Sequence, residues 1–255
     1  MSAATLTAVP AAGRDERPGL ARLTLVELRK MTDTRAGFWL QLAIVALTVL
    51  IAAAVAIWGV GPDKQFGSLL GATIQPASIL GPVVGVLLVS SEWSQRTAQI
   101  TFSLVPRRGR VVAAKLLAGL AWSAVAFALA VLAAAISAAV SGVEGAWDVP
   151  AGLVLQDAAY VVIQVLGGIA FGAALLASAP AIVLYFVLPI GWAIVGSLSF
   201  LEGVAGWLDS SRTMDQMVNE VLSADQWARV ATTVALWVVV PLLIGTWRIL
   251  RGEVR

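Results

Sequence analysis

Residues 158–201 read AAYVVIQVLGGIAFGAALLASAPAIVLYFVLPIGWAIVGSLSFL, 44 positions without one charged side chain. As a single helix rising 1.5 Å per residue this stretch would be about 66 Å long, roughly twice the hydrocarbon core of a bilayer. It is therefore expected to fold as two spans, 158–178 and 181–201, broken at Ser178, Ala179 and Pro180. Proline cannot continue the hydrogen-bond ladder, and it pushes the residue before it out of helical geometry. Pro189 would kink the second of the two.

Outward from this stretch, the same pattern repeats. The chain has 255 residues, 59% of them hydrophobic and 13% charged, against about 25% charged in an ordinary soluble domain. Phe38 to Val60 is an uncharged run of 23 residues, enough for a first span over 38–60, and Trp39 and Trp58 fall where indoles sit at the two faces of a bilayer. A second span is expected over 74–91, where Gly81 and Gly85 offer close packing and Pro82 a kink. A third, over 111–140, is longer than a bilayer needs and carries a small-residue stripe at Ala130, Ala134 and Ala138. Gly142 to Asp157 reads as an acidic loop, and 230–247 as the sixth span. The fold class is thus all-α, with six transmembrane helices in the domain 38–247.

The flanks are polar. Residues 1–19 read as a disordered tail, and 20–37 as an interfacial helix in which Thr24 and Glu27 have capping-box spacing. Residues 1–37 show no apolar stretch followed by a small-residue cleavage site, so the first span is expected to act as the targeting signal. Residues 248–255 form a basic tail. If both termini and the 92–115 segment are cytoplasmic, 14 of the 17 Lys and Arg residues lie inside, which satisfies the positive-inside rule. Nine of the fifteen acidic residues then lie outside.

Several chemistries are excluded by what the chain lacks. It has no Cys and no His, hence no thiol nucleophile, imidazole base or usual zinc ligand set. No Gly-rich phosphate loop ending in Gly-Lys-Ser/Thr occurs, so ATP hydrolysis would need another subunit. No ionisable residue falls mid-span in this reading, unlike in an ion-driven carrier. The polar residues at depth, Gln41, Thr48, Ser123, Ser137, Gln164, Thr232 and Thr233, read as helix-packing hydrogen bonds.

The segment EWSQRTAQITFSLVPRRGRVVAAK, Glu92 to Lys115, is the polar island between spans with a net positive charge. Ser94 to Leu104 is expected to form a helix of about three turns on the cytoplasmic face. Lipid headgroups would explain Arg107, Arg108 and Arg110. Thr97, Ile100, Phe102 and Leu104 call instead for lipid tails or a protein partner. Between spans five and six, Met214, Met217, Val218, Val221 and Leu222 share one helix face in a segment that Thr213 and Gln216 would open as a capping box.

The order Glu92, Thr97 five places on, Leu-Val-Pro at 104–106, Arg108 and Lys115, leading into a long span, resembles the loop between the second and third spans of ABC-2 type permeases, the membrane subunits of ATP-binding cassette exporters. The usual pattern is a Glu, a Gly-Thr pair, an apolar helix, a Pro-x-x-Arg-like turn and a Lys. Here Arg96 stands where Gly precedes the Thr, and the Pro is shifted relative to the Arg. The resemblance implies a coupling helix held in a cleft of a cassette ATPase, with Glu92, Arg96, Thr97, Ile100, Phe102, Leu104 and Arg108 as the coupling residues. It implies an outer gate at Met214, Met217 and Val221, and two permease chains, identical or related, around one path. ATP would bind in the partner ATPase dimer; this chain would hold no cofactor and no metal, catalyse no reaction itself, and contact membrane lipid but no nucleic acid. The expected location is the plasma membrane. Two other readings are a non-transporting scaffold or sensor coupled to an ATPase, and a membrane enzyme using Glu144, Asp148, Asp157 and Asp209, which no nucleophile or paired base accompanies.

Overall fold

The computed structural model describes residues 19–252, apart from the side chains of Ser199, Glu202, Val204 and Ala205. The expected tail over 1–18 and the last three residues, 253–255, lie outside the described residues. Within them the chain is all-helical, and six helices are long and apolar enough to cross a membrane. It is a multi-pass membrane protein.

Helix α1 (Leu20–Asp33) ends at Thr34, whose hydroxyl accepts from the Gly37 N–H at 3.0 Å and caps α2 (Arg35–Trp58). The first span therefore starts inside the 20–37 segment expected to be interfacial. Thr24 does not open α1; its hydroxyl bonds back to the Leu20 carbonyl, and Glu27 is used elsewhere. Trp39 and Trp58 are exposed at the two ends of α2, as interfacial indoles should be.

The second span begins earlier than residue 74. Helices α3 (Phe66–Thr73) and α4 (Gln75–Ser94) run on through a single turn at Ile74. Pro76 supplies no N–H there, which interrupts the ladder without ending the span. Helix α5 (Ala98–Leu104) is shorter than the expected 94–104 helix, and α6 (Arg108–Ser141) is the longest in the fold. The fourth span, α7 (Ala151–Leu175), starts seven residues before the expected 158 and takes Gln156 and Asp157 out of the acidic loop into a helix. The break before α8 (Ser178–Gly196) falls at Leu176 and Ala177 instead of 178–180, with Leu176 left-handed at φ 54°. Pro180 sits in the first turn of α8, where the missing N–H has no intrahelical partner to lose. Helix α8 ends at 196, short of the expected 201.

After α9 (Glu202–Leu208), α10 (Ser210–Asn219) is capped by the Asp209 carboxylate, which accepts from the Ser211 and Arg212 N–H groups. Thr213 is thus interior to that helix and forms no capping box with Gln216, contrary to expectation; the capping box of this segment is Ser223 with Gln226, opening α11 (Ala224–Val234). A widened π turn at Ala235–Val239 joins α11 to α12 (Val240–Arg251), next to Pro241. The sixth span is therefore Ala224–Arg251, longer at both ends than 230–247, and it absorbs Arg248 and Arg251 from the expected tail.

The core is the crossing of α4 on α7, the most extensive contact in the fold. Gly81 and Gly85 face Val165 and the 165–169 backbone, while Gly168 and Gly172 face the backbones of Pro82 and Val86. Four missing side chains thus let the two backbones touch. Pro82 also leaves the Ser78 carbonyl without its helical donor, and the Gln164 amide donates to that oxygen at 3.4 Å. Ala130, Ala134 and Ala138 are buried as the stripe predicts. Four more of the polar groups at depth make the expected bonds between helices: Gln41 to the Met31 carbonyl, Thr48 to Thr73, Ser137 to Ala52, Thr233 to Trp207, whereas the Ser123 and Thr232 hydroxyls bond back to Gly119 and Ala228 in their own helices.

Candidate functional site

The end of the bundle that carries α1 is built on charge. Lys30 Nζ donates to Glu27 Oε1 at 2.7 Å and to Glu92 Oε1 at 2.6 Å. Lys115 Nζ donates to Glu27 Oε2 at 2.7 Å and to the Leu88 carbonyl at 2.9 Å, and lies 3.3 Å from Glu92 Oε2. That last contact has ion-pair distance without hydrogen-bond geometry. Acid and base alternate around a closed ring of four side chains from α1, α4 and α6, with no net charge. Glu27, Glu92 and Lys115 are buried, a state such residues adopt almost only when paired. Burial opposes the charge on Lys30, yet the hydrogen bonds and charges of Glu27 and Glu92 outweigh it and hold the ammonium above its ordinary value of 10.5.

Helix α5 hangs from this ring. The Glu92 carbonyl accepts from the Thr97 N–H at 2.8 Å, and its carboxylate accepts from the Thr101 hydroxyl at 3.3 Å. Phe102 packs against Trp93, ring centroids 6.2 Å apart, with the Arg108 guanidinium 5.0 Å from its own ring centre. Arg108 donates to the carbonyls of Ile249 and Gly252 at 2.9 and 2.6 Å, tying the loop to the end of α12. One face of α5, Ala98, Thr101 and Phe102, is therefore held by the bundle. The opposite face presents Ile100, 61% exposed, and Leu104, 74% exposed.

The seven expected coupling residues thus divide. Glu92, Thr97, Phe102 and Arg108 fix the helix to the spans, Ile100 and Leu104 face outward, and Arg96 forms the turn. Arg96 has φ 58°, a left-handed conformation that favours Gly, at the position where the ABC-2 pattern has Gly. Glu27 and Lys30 were not legible as site residues, and Lys115 only as the closing Lys of the loop pattern, without its partners. A signal existed for Lys115, which sits where the polar island meets an apolar span and cannot be buried alone.

At the other end, a cavity of about 870 Å³ opens between α3, α4, α7, α8, α10, α11 and the π turn. Met214 lines it and Met217 is buried behind. Val221 is 54% exposed and does not line the cavity, so the three expected gate residues do not form one surface. Trp237 lines the cavity with its indole N–H donated to the Leu208 carbonyl at 3.0 Å. Among the described residues no cluster of acidic side chains has metal-ligand geometry. No protein-family model matches the chain, and a comparison with curated proteins returns no match.

Proposed function

We propose that this chain is the membrane subunit of an ATP-binding cassette exporter, in the plasma membrane with both termini cytoplasmic, coupled through α5 to a separate ATPase dimer that binds the ATP. The observation that carries this is the two-sided build of α5. Its outer face offers Ile100 and Leu104 to a partner, while its inner face ends in the Glu92 carboxylate, within the ring joining α1, α4 and α6. A push on α5 from closing ATPase subunits is thereby delivered to three helices at once, and through Arg108 to α12. Among the described residues, 11 of the 14 Lys and Arg at this end carry the charge bias that supports its cytoplasmic orientation. A second permease copy, identical or related, would complete the path.

The test is co-purification in detergent with the candidate cassette ATPase, comparing the parent with Ile100→Asp/Leu104→Asp. Both side chains are exposed, so the variant should fold as the parent does while losing the complex or its ATPase activity. If it binds and hydrolyses ATP like the parent, α5 is not the coupling element. Glu92→Ala is a poorer probe, because it unbalances a buried ring as well as releasing α5.

A further inference from the structure

The cavity at the far end has a marked chemical bias. Its walls are aromatic: Tyr160 and Phe171 from α7, Tyr185 and Phe186 from α8, and Trp237 from the π turn. Tyr185 meets Phe171 and Phe186 edge to face, with centroids 5.5 and 5.2 Å apart, and its hydroxyl donates to Gln164 Oε1 at 3.3 Å. The rings are thus fixed in place before any ligand enters. Among the described residues, the charged groups that line the cavity are Asp148 and Asp215, both exposed, and no Lys or Arg lines it. Among the described residues neither carboxylate is ion-paired; Asp215 accepts only from the Asn219 amide, at 3.1 Å.

A third carboxyl group lies behind the wall. Leu153, Tyr160 and Gln164 line the cavity from one face of α7, and Asp157, four residues after the first and three before the second, falls on that same face. It is 1% exposed, and neither of its oxygens has a hydrogen-bond partner among the described residues. A buried, unsatisfied carboxyl group is costly and demands an explanation. A positive charge in the cavity beyond Tyr160 would offset that cost as a through-wall attraction, without a direct hydrogen bond.

We infer that this cavity is a binding site for a monovalent organic cation with an aromatic or apolar body. Aromatic faces attract cations through the ring quadrupole, most strongly where water is excluded. Carboxylates at the mouth of a low-dielectric cleft concentrate cations and repel anions. The volume falls within the range of about 300–1,000 Å³ typical of small-molecule sites. Only the description of the ligand as cargo rests on the exporter reading; the binding is a property of this chain alone.

The experiment compares tetraphenylphosphonium with tetraphenylborate, ions of nearly the same shape and opposite charge, by equilibrium dialysis against the purified full chain in a nonionic detergent. Saturable binding of the phosphonium, at least about tenfold tighter than of the borate, is expected. Asp148→Asn/Asp215→Asn should weaken phosphonium binding about tenfold and leave thermal unfolding unchanged. Asp157→Asn should also weaken it, while unfolding no earlier than the parent, since it removes an unpaired acid. Equal affinity for the two ions, no saturable binding, or full binding by both variants would overturn the inference. Failure of cation binding with an intact ATPase complex refutes this site alone. Binding with no ATPase complex refutes the exporter reading and leaves the site standing.

Discussion

At the α1 end, four ionised side chains close on one another at 2.6 to 3.3 Å, whereas at the α10 end Asp148 and Asp215 line about 870 Å³ of open volume and Asp157 is buried without a partner. The first arrangement has nothing left to bind; its charges are spent on holding α1, α4, α5 and α6 in register. The second leaves its charges unspent, which is what a ligand site requires and a rigid joint does not. The α4–α7 crossing, glycine against backbone, connects the two ends and leaves little slack for one to move without the other.

The largest effect is expected from breaking the ring. Lys115→Met strands Glu27 and Glu92 in a buried site with only Lys30 between them, and should cost about 3–5 kcal/mol in thermal unfolding of the detergent-solubilised protein. Glu27→Gln/Lys115→Met leaves the Lys30–Glu92 pair balanced and should recover most of that loss. Asp215→Asn at the cavity should stay within about 0.5 kcal/mol of the parent. Equal losses at the two ends would erase the contrast between them.

Next comes the crossing. A Cβ at Gly168 would overlap the backbone of Pro82, which cannot turn aside as a side chain can. Gly168→Ala should therefore cost about 1–3 kcal/mol as overpacking. Gly191→Ala in α8, where nothing lies within 4 Å, should gain up to about 1 kcal/mol from helix propensity. Chemical unfolding of the two variants side by side measures how tight the crossing is.

The smaller change at Arg96 sharpens the picture of α5. Its φ of 58° strains any residue with a Cβ, so Arg96→Gly should stabilise the turn by about 1 kcal/mol. Binding to the ATPase should be unaffected, because Ile100 and Leu104 keep their places. Destabilisation would mean that the exposed guanidinium makes a contact worth more than the strain.

Much of the architecture was legible because the bilayer imposes it. Forty-four uncharged residues admit no solution but two spans, and Gly81 with Gly85 announced a close approach. The boundaries were not, since apolar length says where a helix can stay in lipid and not where it stops. Asp157 looked like loop because it is acidic, yet the helix starts at Ala151 and buries it. Within the site, Glu92 stood out by its setting, but its partners lie 62 residues away at Lys30 and, for Glu27 with Lys115, 88 residues apart. No local pattern encodes that meeting. The cavity was less legible still, as its lining comes from seven helical elements and its aromatic residues sit in spans where lipid contact explains them equally well.

The smallest expected effect concerns Lys30, the one member of the ring near solvent, with its side chain 40% exposed. Its folded-state value is raised above 10.5, so its contribution is complete below that pH, where the ammonium is present in folded and unfolded chains alike. It is lost as pH climbs through the higher folded value. The gap in thermal stability between the parent and Lys30→Met should accordingly be flat up to about pH 10 and close above it. Partial exposure lets salt screen the pair, so raising ionic strength at neutral pH should narrow the same gap. The Lys115→Met deficit should resist salt, because that side chain is only 6% exposed and counter-ions cannot reach it. If both deficits shrink together with salt, water enters the ring, and the α1 end is less sealed than its distances imply.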